Sequence, residues 1–164
     1  MTTFKWTTDS TVELSATSSM HPIHGELHDI RGEATLEVAD GAIKLEPAPT
    51  GFIEADVDSL KSGKKLEDKA LRKQVEADKY PTIRYEVRSA EGGPDVFKIA
   101  GAFTFHGITQ EFIEEATATV DGDTLKVEAE HTFDIQDFGV KPFKILMLKV
   151  HPDVKLVLHL IGKA

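Results

Sequence analysis

Apolar and polar residues alternate along nearly the whole chain. The clearest run is residues 125–135. Leu125, Val127, Ala129, His131, Phe133 and Ile135 share one parity; Lys126, Glu128, Glu130, Thr132 and Asp134 hold the other. A period of two puts each set on its own face of a strand, one toward a core and one toward water. The pattern recurs at Val12, Leu14 and Ala16, at Ala34, Leu36 and Val38, and at Ile53, Ala55 and Val57. It returns at Ile83, Tyr85 and Val87, from Phe97 to Phe105, from Phe112 to Val120, and from Val154 to Leu160. Asp40-Gly41, Gly92-Gly93-Pro94, His106-Gly107 and Asp121-Gly122 separate the runs. Asp-Gly between alternating segments is a hairpin signal. The chain therefore reads as all-β: an extended eight- or nine-stranded antiparallel up-and-down barrel, with a Greek-key sandwich as the alternative.

Two segments break the period. Leu66, Ala70, Leu71 and Val75 fall at helical spacing, so one short amphipathic helix is expected over residues 66–78, stopped by Tyr80-Pro81 and lying across an end or seam of the barrel. Residues 138–150 carry Phe138, Val140, Phe143, Ile145, Leu146, Met147, Leu148 and Val150, too apolar for a solvated loop. They are expected to pack over the barrel mouth, with a mobile lid or a dimer contact as alternatives.

The inward parities mix large residues with small ones. Ala16, Ala34, Ala55, Gly101, Ala116, Ala118 and Ala129 would leave space unless larger neighbours fill it. A filled barrel and a hollow one both fit this pattern. If the barrel is hollow, its expected lining is Leu14, Leu36, Ile53, Ile83, Tyr85, Ile99, Phe103, Phe105, Leu125, Val127, His131, Phe133, Leu156 and Leu158. His131 is a lone polar group on an apolar face and must find a protein partner or a ligand. Glu114 also falls on an inward parity, the mark of a bulge or of a polar group at the mouth.

Composition narrows the function. The 164 residues suffice for a single domain, 1–164, and the net charge of −9 argues against nucleic-acid partners. There is no cysteine, which removes thiolate catalysis and cysteine-based zinc sites. No apolar run is long enough to span a bilayer, and no leader pattern is visible, so a cytoplasmic location is the expectation. Nucleophile-elbow, phosphate-loop and His-Glu-x-x-His patterns are missing, so a non-enzymatic protein without cofactor is expected. His21, His24 and His28 crowd one stretch without metal-site spacing and are read as a polar rim or turn. Cations for an anionic head group are available at Lys61, Lys64, Lys65, Arg72, Lys73, Lys141, Lys144 and Lys149, but the net charge makes a neutral ligand equally plausible.

Ordered motifs add to this. Ser59-Leu60-Lys61-Ser62-Gly63, Leu66-Glu67-Asp68, Lys79-Tyr80-Pro81-Thr82-Ile83, Phe105-His106-Gly107-Ile108-Thr109 and Asp137-Phe138-Gly139-Val140 follow one another in this order. Together they resemble the YceI family of bacterial, lipocalin-like polyisoprenoid-binding proteins. The resemblance implies an extended barrel with an isoprenoid or isoprenoid quinone in its bore, carried without chemical change, and often a homodimer. The competing expectation is a structural or stress-related interaction module that dimerises through residues 138–150.

Overall fold

The fold is described from a computed structural model covering every residue except Leu146. Eight neighbouring strands close into a barrel in the order β1 (Thr2–Trp6), β4 (Arg31–Ala39), β6 (Thr50–Asp56), β7 (Thr82–Gly92), β8 (Val96–Phe105), β9 (Ile108–Asp121), β10 (Thr124–Asp134) and β12 (Leu148–Lys163). All pairings are antiparallel, and β1 closes the ring on β12 through Lys5 opposite Lys163 and Trp6 opposite Gly162. The expected barrel is thus the observed one, and the sandwich is not.

β2 (Thr11–Ser18) and β3 (Ile23–Leu27) lengthen the barrel. β2 continues β1 along β12, and β3 pairs with β2. The join carries an irregularity: five steps from Trp6 to Thr11 stand against three from Gly162 to His159. Buried Ser10 fills the gap, its hydroxyl donating to the Ile161 carbonyl (3.2 Å) and accepting from the Ile161 amide (3.0 Å). A second irregularity lies in β7, where pairing with β8 slips between Val87 and Ser89. That slip reverses parity, so that Ala90 faces inward after Val87.

The helix α1 spans Lys65–Gln74, shorter than the expected 66–78. It ends because the chain turns left-handed at Glu76 (φ 52°), with the Ala77 amide donating to the Arg72 carbonyl (3.0 Å) and the Glu76 amide to Lys73 (3.2 Å). That capping arrangement finishes the helix before Pro81 can. The 138–150 segment packs on its own chain, at the closed end and not over the open mouth: Phe138, Val140, Ile145, Leu148 and Val150 are buried, Ile145, Leu148 and Val150 against Ile23, and the two-residue strand β11 (Lys144–Ile145) pairs with the start of β12. Leu146 lies outside the described residues.

One end of the barrel is closed by aromatic rings. Phe103, Phe105, Phe133 and Phe138 form a floor with ring centroids 5.2–5.8 Å apart. Phe138 arrives on a short 3-10 turn, Ile135–Phe138, started by the Asp134 carboxylate accepting from the Gln136 amide (2.8 Å). At the other end an arm crosses the opening. β4 turns through Asp40 (φ 55°) and Gly41 (φ 73°) into β5 (Ala42–Lys44), which reaches β9 on the opposite side of the ring. Two successive left-handed residues suit the tight turn that strand twist demands, which explains Asp-Gly there.

An ion-pair row crosses the outer face of three neighbouring strands. Glu54 accepts from Arg31 (3.0 Å) and Arg84 (2.9 Å) across β4, β6 and β7. These bonds hold the Glu54 carboxyl below its ordinary range. Its contribution is therefore complete above the unfolded carboxylate value of about 4.3 and is lost as pH falls through the lowered value of the folded protein. Both guanidinium groups are in water, so the row is worth under about 1 kcal/mol. Urea unfolding of Glu54→Gln against the parent protein should show that small difference at pH 7 and lose it once the pH has fallen below the lowered Glu54 value. Phe138→Ala should cost about 3–5 kcal/mol in the same assay, since it empties a buried position in the floor.

Candidate functional site

Between the aromatic floor and the arm lies a cavity of about 190 Å³. A single water needs only about 10–15 Å³, so the barrel is hollow. Its wall is almost wholly apolar. Leu36, Ile99, Leu125 and Val127 line the arm end with Ile43 and Leu45 of the arm. Ile53, Ile83, Phe103, Leu156 and Leu158 line the floor end. Ala34, Ala55, Ala116, Ala118 and Ala129 are all on the wall, and their small side chains supply the room.

Three expected positions are placed elsewhere. Phe105 and Phe133 are packed into the floor, beneath the cavity. Leu14 is carried on β2, in the extension below the ring-closing pairs, and packs on the core. Gly101 makes no space either: a side chain there would meet the Tyr85 ring at 2.2 Å, so the ring already occupies it. The expected lining left out Phe97 and Phe112, which the alternation does place on inward parities, and Trp6 and the arm residues, which it does not; all line the wall. Trp6 is fixed there by its indole N–H donating to the Phe52 carbonyl (2.9 Å). The arm lies outside the alternating runs, so no strand parity points to it.

Polar groups meet the cavity near the floor. His131 and Glu114 face each other across β10 and β9, and His131 Nδ1 donates to Glu114 Oε1 (2.9 Å). The His131 ring stacks on Phe112, centroids 3.6 Å apart and planes 5° from parallel. Tyr85 lies 5.5 Å from Phe112, ring to ring. Burial first, and the nearby Glu114 charge second, push the Tyr85 hydroxyl up to about 12, so it stays a neutral donor. Glu114 is opposite Ile99 in unbroken register, so it marks no bulge; its bond to His131 ties it to the Phe112–His131 stack, which packs on Phe103 of the floor.

These side chains do structural work too. Backbone pairing between β9 and β10 stops at Ala116 opposite Ala129. Below that point the Glu114–His131 bond and the Phe112–His131 stack bridge the two strands, and Gln110 Nε2 donates to the Asp137 carbonyl (2.8 Å). None of the lysines or Arg72 considered for an anionic head group is on the wall. His21, His24 and His28 occupy the turn before β3, the strand, and the turn after it; among the described residues no group of three His, Asp or Glu is disposed to hold a metal.

An antiparallel eight-stranded barrel around an apolar cavity defines the lipocalin-like class. The chain belongs to the YceI-like domain family, whose pattern matches residues 6–161. Solved structures share the fold. BcnA from Burkholderia cenocepacia is 17% identical with a TM-score of 0.79, covering 93% of this chain and 96% of its own. A polyisoprenoid binding domain from Saccharophagus degradans, implicated in plant cell wall breakdown, is 11% identical with a TM-score of 0.77, covering 99% and 98%. The Campylobacter jejuni YceI protein is 16% identical with a TM-score of 0.68, covering 85% and 84%. No curated protein matches the chain.

The space over Gly101 gives a direct test of the wall. Gly101→Ala must push the Tyr85 ring toward the cavity, so it should lower stability by about 1–3 kcal/mol in chemical denaturation, whereas Ala100→Gly on the neighbouring parity should not disturb the ring.

Proposed function

We propose that the protein binds and carries a hydrophobic molecule, an isoprenoid or isoprenoid quinone, inside the barrel without transforming it. The observation that carries this reading is the largely apolar cavity held open by alanines on facing strands. Natural interiors are close-packed, so a void of this size in a closed barrel needs an occupant to account for it. Each 100 Å² of tail taken out of water stabilises the complex by about 2.5 kcal/mol. A chain longer than the cavity leaves it past the arm at Ile43 and Leu45. The binding named for the Saccharophagus degradans neighbour supports the same ligand class.

The competing reading, an interaction module dimerising through residues 138–150, has less support. The apolar residues of that segment are mostly spent on the chain's own core, with Met147 the exposed exception among those described.

Ala129 and Ala116 face each other on the wall and make a blocking variant available. The neutral fluorophore N-phenyl-1-naphthylamine should brighten with the parent protein, and Ala129→Phe should weaken its binding at least tenfold while leaving the far-ultraviolet circular dichroism unchanged. An organic extract of the purified parent protein should contain a prenyl lipid by mass spectrometry. A lipid-free extract together with equal probe binding by both proteins would overturn the reading.

A further inference from the structure

A carrier of plain hydrocarbon has no use for polar atoms on its wall, because each costs free energy once water is displaced. This wall nevertheless carries three, close together: the Tyr85 hydroxyl, Glu114 and His131. The Glu114–His131 bond uses only one carboxylate oxygen and one ring nitrogen. Among the described residues, Glu114 Oε2, His131 Nε2 and the Tyr85 hydroxyl have no hydrogen-bond partner in the protein; none of the three atoms is fully buried, and all three residues line the cavity. An empty site satisfies them with water, and an occupied one must replace that water.

Their chemistry selects the replacement. Tyr85 offers a donor and the second carboxylate oxygen of Glu114 an acceptor. A hydroxyl answers both, since it accepts and donates at one atom. An anionic head does not: it would meet the Glu114 carboxylate with no free cation to offset the repulsion. Arg84 and Glu54 carry their charges on the outer face, where they are paired with each other at 2.9 Å. The three groups also sit beside the aromatic floor, at the deep end of the cavity, with the arm at the opposite end.

Building on the carrier reading above, we propose that the ligand is a neutral amphiphile ending in a hydroxyl, inserted head first. Its hydroxyl accepts from Tyr85 and donates to Glu114 Oε2, and its tail runs toward the arm. Phe112 and His131, stacked on each other, hold the Glu114 side of this subsite in place.

Three probes with one tail test this: farnesol, farnesyl diphosphate and farnesene, each titrated by displacement of N-phenyl-1-naphthylamine. Farnesol should bind at least tenfold more tightly than either of the others. Tyr85→Phe should weaken farnesol about five- to tenfold, the worth of one hydrogen bond, and leave farnesene unchanged. Glu114→Gln should narrow the gap between farnesol and the diphosphate by removing the repulsion. Farnesene binding as tightly as farnesol, or Tyr85→Phe weakening all three probes alike, would overturn the hydroxyl subsite while leaving the carrier reading intact. Failure of all three probes to displace the fluorophore would overturn both.

Discussion

The short ladder joining Lys5 and Trp6 to Lys163 and Gly162 decides what kind of object this sheet is. Without it the strands would form a long curved sheet with two open edges and an apolar face in water. With it the face becomes an interior. The alternation read along the chain acquires its meaning only from that closure, because each inward residue must then share one bore with those of seven other strands. Closure also sets the volume. Large residues at the two ends and alanines between them leave a void that neither end can fill. Trp6 stands at the junction itself, paired through its backbone to β12 and bonded through its indole to the Phe52 carbonyl. The residue that closes the barrel thus also lines its cavity.

The closed end shows why short sequence motifs, weak one by one, belong together. His106 stands at the first position of the β8–β9 turn with φ 54°, followed by Gly107 at 73°. Asparagine, aspartate or glycine would hold that conformation more easily. Histidine is justified by what its ring reaches. Nδ1 lies in hydrogen-bond reach of the Phe138 carbonyl (2.9 Å) and Nε2 of the Glu76 carboxyl (2.7 Å), and the ring packs on Tyr80 with centroids 4.4 Å apart. Gly107 must lack a side chain because Tyr80 would meet it at 2.6 Å. The helix end, the Tyr80-Pro81 stop, the His106-Gly107 turn and the Asp137-Phe138-Gly139 turn are therefore one cluster that carries Phe138 into the floor. Their fixed order in sequence is the trace of a single spatial contact.

Much of this fold was legible in the chain because burial in an antiparallel barrel imposes a period of two, which leaves a direct mark on residue type. The strands from β6 to β10 and the run in β12 follow from that mark alone. What escaped has a physical reason in each case. The slip at Arg88 reverses parity without changing composition, so Ala90 gives no sign of facing inward. The arm at Ile43 and Leu45 packs from outside the ring, where strand parity does not apply. Gly101 read as open space because a missing side chain is silent about what fills it; Tyr85 does. Cavity lining was legible for residues such as Leu36, Ile53 and Leu158, where parity and depth coincide, but not for Phe105 or Phe133. Those two share the inward parity and lie too deep.

Glu114 and His131 violate the apolar pattern, and they do so where the β9–β10 ladder ends. These two facts have one explanation. Strands that part lose backbone hydrogen bonds, and an apolar wall at that point would have nothing to hold it shut. A charged hydrogen bond and a stacked ring pair supply a directional link that methyl groups cannot. The link needs only one oxygen of the carboxylate and one nitrogen of the ring. The remaining polar atoms are thus a by-product of closing the seam, turned toward the cavity because the side chains already face that way. Structure and selectivity then rest on the same residues: the groups that hold the wall together also make it discriminate between a hydroxyl and a bare hydrocarbon.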